Sequence, residues 1–200
     1  MGANSPKVCE ISSWLRGLSA GPKVALLLSM ALFCVGCDQA SKRVAAEVLK
    51  GAETLSYLGD VFRLTYAENS GAFLGLGNAW PPAVRWAVFT GAALAVVAAS
   101  AGWVVQQLRR PRHDALAVWA MVLIAAGGMG NLVDRVLREG RVIDFMNLGL
   151  GPVRTGIFNV ADVQIMVGLG PAIWKQRTSF PFVTVTARPG EAAYADLLLL

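Results

Sequence analysis

The chain has 200 residues, of which 55% are hydrophobic and only 16% are charged, and its mean hydropathy is +0.52. This composition is too apolar for an ordinary soluble domain of this length and indicates a membrane protein. The net charge of +5 does not indicate nucleic-acid binding, because the basic residues are scattered or flank apolar runs. Three cysteines and one histidine give neither a disulfide framework nor a Cys/His metal site, so we expect no metal and no cofactor.

Four apolar segments approach the roughly 20 residues that a membrane-spanning helix requires. They are residues 24–37, 83–105, 115–133 and 158–174. The first is short, so Asp38 must lie at or just inside the far interface if this helix crosses. The third closes with Gly127, Gly128 and Gly130, small residues that let neighbouring helices approach closely. The sequence therefore predicts a mainly α-helical membrane fold with four transmembrane helices.

The basic residues near the ends of these segments predict the orientation of the chain. Arg109, Arg110 and Arg112 form the tightest basic cluster, in the short connection between the second and third segments, which we expect to be cytoplasmic. An even number of spans then places both termini in the cytoplasm. The expected division is an N-terminal tail at 1–22, a membrane domain at 23–175 with periplasmic segments at about 42–81 and 136–157, and a partly disordered C-terminal tail at 176–200.

Two of the outer segments have the patterns of β-strands. Side chains at residues 58–66 alternate in polarity, as in a half-buried strand. Residues 141–157 add a short β-like run and a turn at Gly149, Gly151 and Pro152. We therefore expect a small sheet with loops on the periplasmic face of the membrane.

Four aspartates converge at one membrane face in this topology. Asp38 ends the first helix, Asp134 ends the third, Asp144 follows in the connection, and Asp162 opens the fourth helix. An ionisable group at the bilayer centre costs about 2.5 kcal/mol or more on insertion scales, so four together suggest a functional site. Each acid alone could equally be a helix cap or an ion-pair partner, and Arg135 is available to Asp134.

Two asparagines share a spacing with these acids. Asn131 and Asp134 are three residues apart and lie on one face of a helix, as do Asn159 and Asp162. The first pair could also be a structural clamp, and Asn159 could also be an N-cap. Both interpretations are compatible with a site.

A pair of carboxyl groups can hydrolyse a peptide bond without a nucleophilic side chain, a metal or a histidine. The ionised carboxylate deprotonates a water molecule, while the protonated carboxyl polarises the carbonyl oxygen and later protonates the leaving nitrogen. Two like charges in close proximity resist joint ionisation, so the pKa of one carboxyl should be raised. This chemistry fits the residues that the chain contains.

Four sequence blocks, in this order, resemble the lipoprotein signal peptidases, also called signal peptidase II. The resemblance covers the chain from about residue 23 to 175. The blocks are DQASK at 38–42, NSGAF at 69–73, GGMGNLVDR at 127–135, and VIDF at 142–145 followed by FNVAD at 158–162.

The resemblance implies an aspartyl endopeptidase of the bacterial inner membrane with its active site near the periplasmic face. Its substrates would be diacylglyceryl-modified prolipoproteins, cut just before the lipidated cysteine, and Asp144 and Asp162 would be the catalytic pair. Its partners would include membrane lipid, and a globomycin-type inhibitor would occupy the substrate groove of what we expect to be a monomer. The residues that match the groove or its support are Asn69, Gly71, Asn131, Arg135, Asn159, Asp38, Lys42 and Asp134.

Three other functions are open at this point. An apolar run that ends in Val35-Gly36-Cys37 resembles the signal peptide of a lipoprotein, although Cys34 replaces the usual aliphatic residue and three further apolar segments follow. A serine intramembrane peptidase would use Ser70 or Ser41, neither of which has a convincing base. The third is a transporter or scaffold, since polar residues inside membranes also mark transport paths.

Overall fold

The protein is described by a computed structural model that covers residues 19–71, 80–110 and 114–174. Most of the two expected tails lies outside these residues, as does Arg112 of the basic connection, so the predictions about them stay predictions. The elements are α1 (Ala20–Leu49), β1 (Leu55–Tyr57), β2 (Phe62–Asn69), α2 (Pro82–Leu108), α3 (Ala115–Leu137), β3 (Val142–Leu150), β4 (Val153–Arg154) and α4 (Val160–Trp174).

Three helices in the described part of the chain are long and apolar enough to cross a membrane. They are Gly21–Leu49, Pro82–Leu108 and Ala115–Leu137. The fourth helix, α4, has 15 residues. It is about 22 Å long at 1.5 Å per residue, which is less than the roughly 30 Å of a hydrocarbon core. Three of the four predicted segments are therefore confirmed as candidate spans by length and composition, and the fourth span stays a prediction.

The first helix is longer than its apolar pattern predicts. It continues past Cys37 to Leu49, so Asp38 and Lys42 lie within the helix. These two side chains form an ion pair one helical turn apart, and Gly51, with a φ of 80°, follows the helix end. The apolar pattern stops at Cys37 because buried polar side chains follow it. The helix itself continues, because the chain contains no helix breaker at this point.

The predicted small sheet is confirmed, with the strand order β1-β2-β3-β4 and antiparallel neighbours throughout. The first predicted strand was placed too early, because Leu58, Gly59 and Asp60 form a turn with φ values of 55°, 63° and 75°. Gly and Asp tolerate this left-handed conformation, which ends β1 and starts the return strand β2. The predicted turn at Gly149–Pro152 is confirmed between β3 and β4.

The helix α3 is central, with contacts to α1, α2, α4 and β3. Three glycines allow these close approaches, as predicted. An added Cβ on Gly127 would meet the Ala161 carbonyl of α4, one on Gly128 would lie 2.9 Å from Val97 of α2, and one on Gly130 would lie 2.6 Å from Asp38 of α1. Gly127 and Gly130 lie on one face of α3 and both approach Ala161, while Gly128 points about 100° away from Gly127, towards α2. This one turn of α3 therefore has close neighbours on α1, α2 and α4.

We expect Gly127→Ala to destabilise the protein by about 1–3 kcal/mol, because its new methyl group collides with backbone that cannot rotate away. The control is Gly102→Ala in α2, where an added Cβ meets nothing within 4 Å. The control should be neutral or stabilising, because alanine favours a helix by up to about 1 kcal/mol over glycine. Thermal unfolding midpoints in detergent compare the two variants, and equal midpoints would contradict the close packing.

Candidate active site

A buried polar cluster lies where the carboxyl-terminal parts of α1 and α3 meet the start of β3 and the amino end of α4. Asp38, Lys42, Asp134 and Asn159 are fully buried, and Asp144 is 3% exposed. Burial of so many polar groups is costly unless each is hydrogen-bonded or paired. The bonds within the cluster therefore decide its structure.

Lys42 is the cation at the centre of the cluster. Its Nζ lies 2.8 Å from Asp38 Oδ2 and 3.0 Å from Asp134 Oδ2, and it donates to Asn131 Oδ1 at 3.0 Å. An ammonium group has three donors, and all three are used here. Gln39 bridges the two acids as well, with its Nε2 donating to Asp38 Oδ2 at 3.1 Å and to Asp134 Oδ1 at 3.3 Å.

The two acids that bind Lys42 also hold backbone amides of other elements. Asp38 Oδ1 accepts the Ala161 N–H at 2.9 Å, and Asp134 Oδ2 accepts the Ile143 N–H at 3.2 Å. Each of these amides belongs to the residue directly before another aspartate in the chain. The ion pair on α1 and α3 thus fixes the backbone that carries the other two aspartates.

Those two aspartates, Asp144 and Asp162, are joined through asparagines. Asn159 donates from Nδ2 to Asp144 Oδ1 at 2.6 Å and from its backbone N–H to Asp162 Oδ2 at 3.1 Å. Asn131 donates to Asp162 Oδ1 at 2.9 Å, and Asn69 donates to Asp144 Oδ2 at 3.0 Å. One residue, Asn159, therefore binds both carboxyl groups.

The start of α4 orients Asp162. Asn159 Oδ1 accepts the Asp162 N–H at 3.0 Å, while Asp162 accepts the Asn159 N–H. This reciprocal arrangement is that of a capping box, and it gives Asn159 the N-cap position considered from the sequence. The positive end of the helix dipole favours a negative charge in this first turn.

Gly71 supports the site indirectly. Its N–H donates to Asn69 Oδ1 at 3.0 Å and so holds the Asn69 amide that binds Asp144.

Asp144 differs from an ordinary aspartate in its protonation. Burial raises the pKa of Asp144 to about 6. The hydrogen bond from Asn69 lowers this pKa, the neighbouring Asp162 carboxylate raises it, and Asn159 and Lys42 lower it. The pair therefore contains one carboxyl that retains its proton in mildly acidic conditions.

Arg135 does not pair with Asp134, the partner that the sequence offered. Adjacent residues on a helix point about 100° apart, and Lys42 binds Asp134 instead. Arg135 Nη1 donates to the Asn131 carbonyl at 3.3 Å, while its Nε is buried without a hydrogen-bond partner among the described residues. The positive charge of Arg135 interacts over a longer range with the acids Asp162, Asp144 and Asp134.

The structure brings all the predicted site residues together in this cluster or one hydrogen bond from it. Sequence reasoning missed the role of Gln39 and underrated Lys42, although the four-residue spacing of Asp38 and Lys42 was a signal for an ion pair.

The serine alternative loses one nucleophile, because the Ser41 hydroxyl donates to the Asp38 carbonyl at 2.8 Å. Within the described residues, no group of three His, Cys, Asp or Glu side chains is placed to hold a metal.

The fold is similar to those of two solved structures described as bacterial membrane enzymes, determined by the in meso method at 2.3 and 1.9 Å resolution. The first has a TM-score of 0.64 and 24% identity, and the alignment covers 81% of this chain and 95% of that one. The second has a TM-score of 0.63 and 22% identity, with 78% and 96% covered. The chain therefore shares the fold of these two proteins.

Sequence comparison is more specific. Residues 30–177 match the family model for signal peptidase (SPase) II. The lipoprotein signal peptidase of Azoarcus sp. (strain BH72) is 34% identical over 167 residues, which are 80% of this chain and 89% of the relative. That of Streptomyces coelicolor is 33% identical over 151 residues, 73% and 67% of the two chains, and that of Mycobacterium leprae is 32% identical over 178 residues, 84% and 80%.

The chain therefore belongs to the signal peptidase II family and is a peptidase of the aspartic type. This membership decides against the lipoprotein, serine peptidase and transporter or scaffold alternatives.

We expect Lys42→Met to destabilise the protein by about 3–5 kcal/mol, because it leaves two buried carboxylates without their shared cation. The matched control is Arg43→Met, which removes the same charge from the neighbouring, exposed position of α1. Thermal unfolding in detergent measures both variants. Similar losses in the two would show that the Lys42 ion pair has no special structural role.

Proposed function

We propose that the protein removes the signal peptide from diacylglyceryl-modified prolipoproteins in the bacterial inner membrane. It cuts just before the lipidated cysteine, with Asp144 and Asp162 as the catalytic pair. Family membership supports the substrate class. The observation that supports the residue assignment is the position of Asn159, which donates to both carboxyl groups and so holds them side by side.

The environments of the two carboxyl groups support different roles in the reaction. Asp162 accepts N–H bonds from the Asn131 side chain and from the Asn159 backbone, and it lies in the first turn of α4. It is the base that takes a proton from the attacking water. Asp144, with its raised pKa, is the acid that donates a proton to the scissile carbonyl oxygen. After proton redistribution within the pair, it also supplies a proton to the leaving nitrogen. A shared proton makes this division possible.

The substrate peptide is held by polar groups around this pair. Asn69, Asn131 and Asn159 surround the carboxyl groups, and the buried Nε of Arg135 offers a donor to a substrate carbonyl. The substrate's acyl chains lie against lipid-facing side chains of α1, such as Leu32 at 73% exposure. Burial of each CH₂ contributes about 0.8 kcal/mol, so lipid supplies much of the affinity.

The site lies near the periplasmic face, and α4 completes four spans that leave both termini in the cytoplasm. The support for this orientation is that Arg109 and Arg110 follow α2, at the end of the bundle opposite Asp134 on α3. The enzyme acts as a monomer, and a globomycin-type inhibitor occupies the same groove as the substrate.

We expect Asp144→Asn and Asp162→Asn each to reduce cleavage of a purified lipid-modified prolipoprotein at least ~100-fold, because an amide cannot transfer the proton. The assay uses detergent-solubilised enzyme with a chelator present. Glu53→Gln, at an exposed position, controls for loss of a carboxylate and should retain activity.

Retained turnover in either aspartate variant would exclude that residue from the pair. The same assay with substrate that lacks its diacylglyceryl group tests the lipid contact. Equal cleavage of lipidated and unlipidated substrate would contradict that contact while leaving the catalytic pair in place.

We expect kcat/KM to fall as the pH rises through about 6, because Asp144 then loses its proton and the pair lacks an acid. Asn69→Ala removes a hydrogen bond that favours the ionised form of Asp144, so it should move this limb to higher pH. Asn147→Ala is the control, since Asn147 is a buried asparagine of β3 that bonds Thr155 and Arg154 instead. A limb that does not move in Asn69→Ala would assign it to another group.

A further inference from the structure

The side-chain amide of Asn131 lies between the buried Lys42 and the carboxyl group of Asp162. Its Oδ1 accepts hydrogen bonds from Lys42 Nζ at 3.0 Å and from Asn159 Nδ2 at 3.1 Å. Its Nδ2 donates to Asp162 Oδ1 at 2.9 Å. Asn131 is 8% exposed and Lys42 is fully buried, so bonds with bulk water cannot replace these contacts. The two ends of the amide thus have opposite partners, donors at the oxygen and an acceptor at the nitrogen.

Lys42 restricts the orientation of this amide. The two ends of an asparagine amide are similar in size, so their hydrogen bonds decide which end faces which neighbour. An ammonium group can only donate, so the atom of Asn131 that faces Lys42 has to be the acceptor Oδ1. In the reversed orientation, the Asn131 NH₂ group would face the ammonium group, and the Asn131 oxygen would face Asp162 Oδ1. Neither contact is a hydrogen bond when Asp162 is ionised, and unsatisfied polar groups in a buried cluster are costly.

Lys42 is the stronger of the two donors to Asn131 Oδ1. Its hydrogen bond carries a full positive charge, and such bonds are roughly twice as strong as bonds between neutral groups. The neutral amide of Asn159 lies slightly farther from Asn131, at 3.1 Å, and its Nδ2 lies closer to Asp144, at 2.6 Å. The ammonium group is also held in place by its two carboxylate partners on α1 and α3. Lys42 therefore decides which end of Asn131 faces Asp162.

The other paired carboxyl group receives a hydrogen bond of the same kind. Asn69 Nδ2 donates to Asp144 Oδ2 at 3.0 Å, and the Gly71 N–H donates to Asn69 Oδ1 at 3.0 Å. In both cases, a group that can only donate binds the asparagine oxygen and leaves the NH₂ group for the carboxyl group. At Asp144 that group is a backbone N–H, whereas at Asp162 it is the Lys42 side chain, which a substitution can remove.

We propose that Lys42 is a positioning residue for the catalytic pair and that it acts on Asp162 through the amide of Asn131. This inference rests on the proposed function, in which Asp162 takes a proton from the attacking water. The Asn131 N–H at Oδ1 and the Asn159 N–H at Oδ2 together fix the plane of the Asp162 carboxyl group. When the first of these bonds is lost, the carboxyl group can rotate away from the water, so the chemical step slows while substrate binding changes little.

A second route from Lys42 to Asp162 has to be separated from this one. Asp38, which binds Lys42, also accepts the backbone N–H of Ala161, the residue before Asp162. Gln39 provides the control for this route, because its Nε2 donates to the same two acids that bind Lys42 and to a backbone carbonyl of α3. Gln39→Met therefore disturbs the acids and keeps the bond from Lys42 to the asparagine.

The test is a double-mutant cycle on cleavage of a lipid-modified prolipoprotein by the full chain in detergent, below the thermal unfolding midpoint of each variant. We expect Lys42→Met to lower kcat at least ~10-fold and to change KM less than about twofold. Lys42→Met/Asn131→Ala should be no more than about threefold slower than Asn131→Ala, because no amide then remains to be oriented. In the control cycle, the losses in Gln39→Met and Asn131→Ala should multiply.

Asn131→Asp tests the orientation with Lys42 intact, so it does not depend on the folding of a Lys42 variant. The new carboxylate can still accept from Lys42, but it presents an oxygen in place of an N–H to Asp162. We expect kcat at neutral pH to fall at least as far as in Asn131→Ala. A kcat within about threefold of the wild-type value would overturn the proposal.

Multiplying losses in the Lys42 cycle, or equal coupling in the Gln39 cycle, would also overturn it. Either result would come from an enzyme that cleaves the lipidated substrate. A wild-type chain that does not cleave this substrate would instead contradict the proposed function, so the two failures are distinguishable.

Discussion

The buried ion pair of Lys42 with Asp38 and Asp134 is the interaction on which the rest of the site depends. It joins α1 to α3, and each acid uses a further oxygen to hold a backbone amide, that of Ala161 or Ile143. The residues after those amides carry the paired carboxyl groups. One lysine on the first helix thus determines where the start of α4 and the start of β3 lie relative to each other.

A buried ion pair of this kind is weak evidence for net stability, because desolvation of the charges offsets most of their attraction. Its effect here is geometric. The close packing of α3 serves the same end, since Gly127 and Gly130 leave room for the Ala161 carbonyl and for the Asp38 carboxylate. Small residues and a fully used ammonium group together bring four elements to one point.

The paired carboxyl groups obtain different properties from neighbouring parts of the chain. Asp162 lies in the first turn of a helix and within a capping box, where negative charge is favoured. Asp144 lies on a buried strand, where desolvation raises its pKa. Asn159 contacts both, so the same residue that starts the helix also sets the spacing of the pair. Family membership establishes a peptidase, and this asymmetry supports the proposed division into acid and base.

The sequence by itself determined the membrane class, three candidate spans, the small sheet and the convergence of the acids, because apolar runs and alternating patterns depend on local chemistry. It did not determine where α1 ends. Polar residues such as Asp38 and Lys42 after an apolar run indicate the membrane interface, and only their partners on α3 show that the helix continues through them. It placed β2 too early, because alternation continued through the turn at Gly59. Only the tertiary structure decided that Lys42 binds Asp134 and that Arg135 does not, because such pairing depends on how helices distant in the chain rotate against each other.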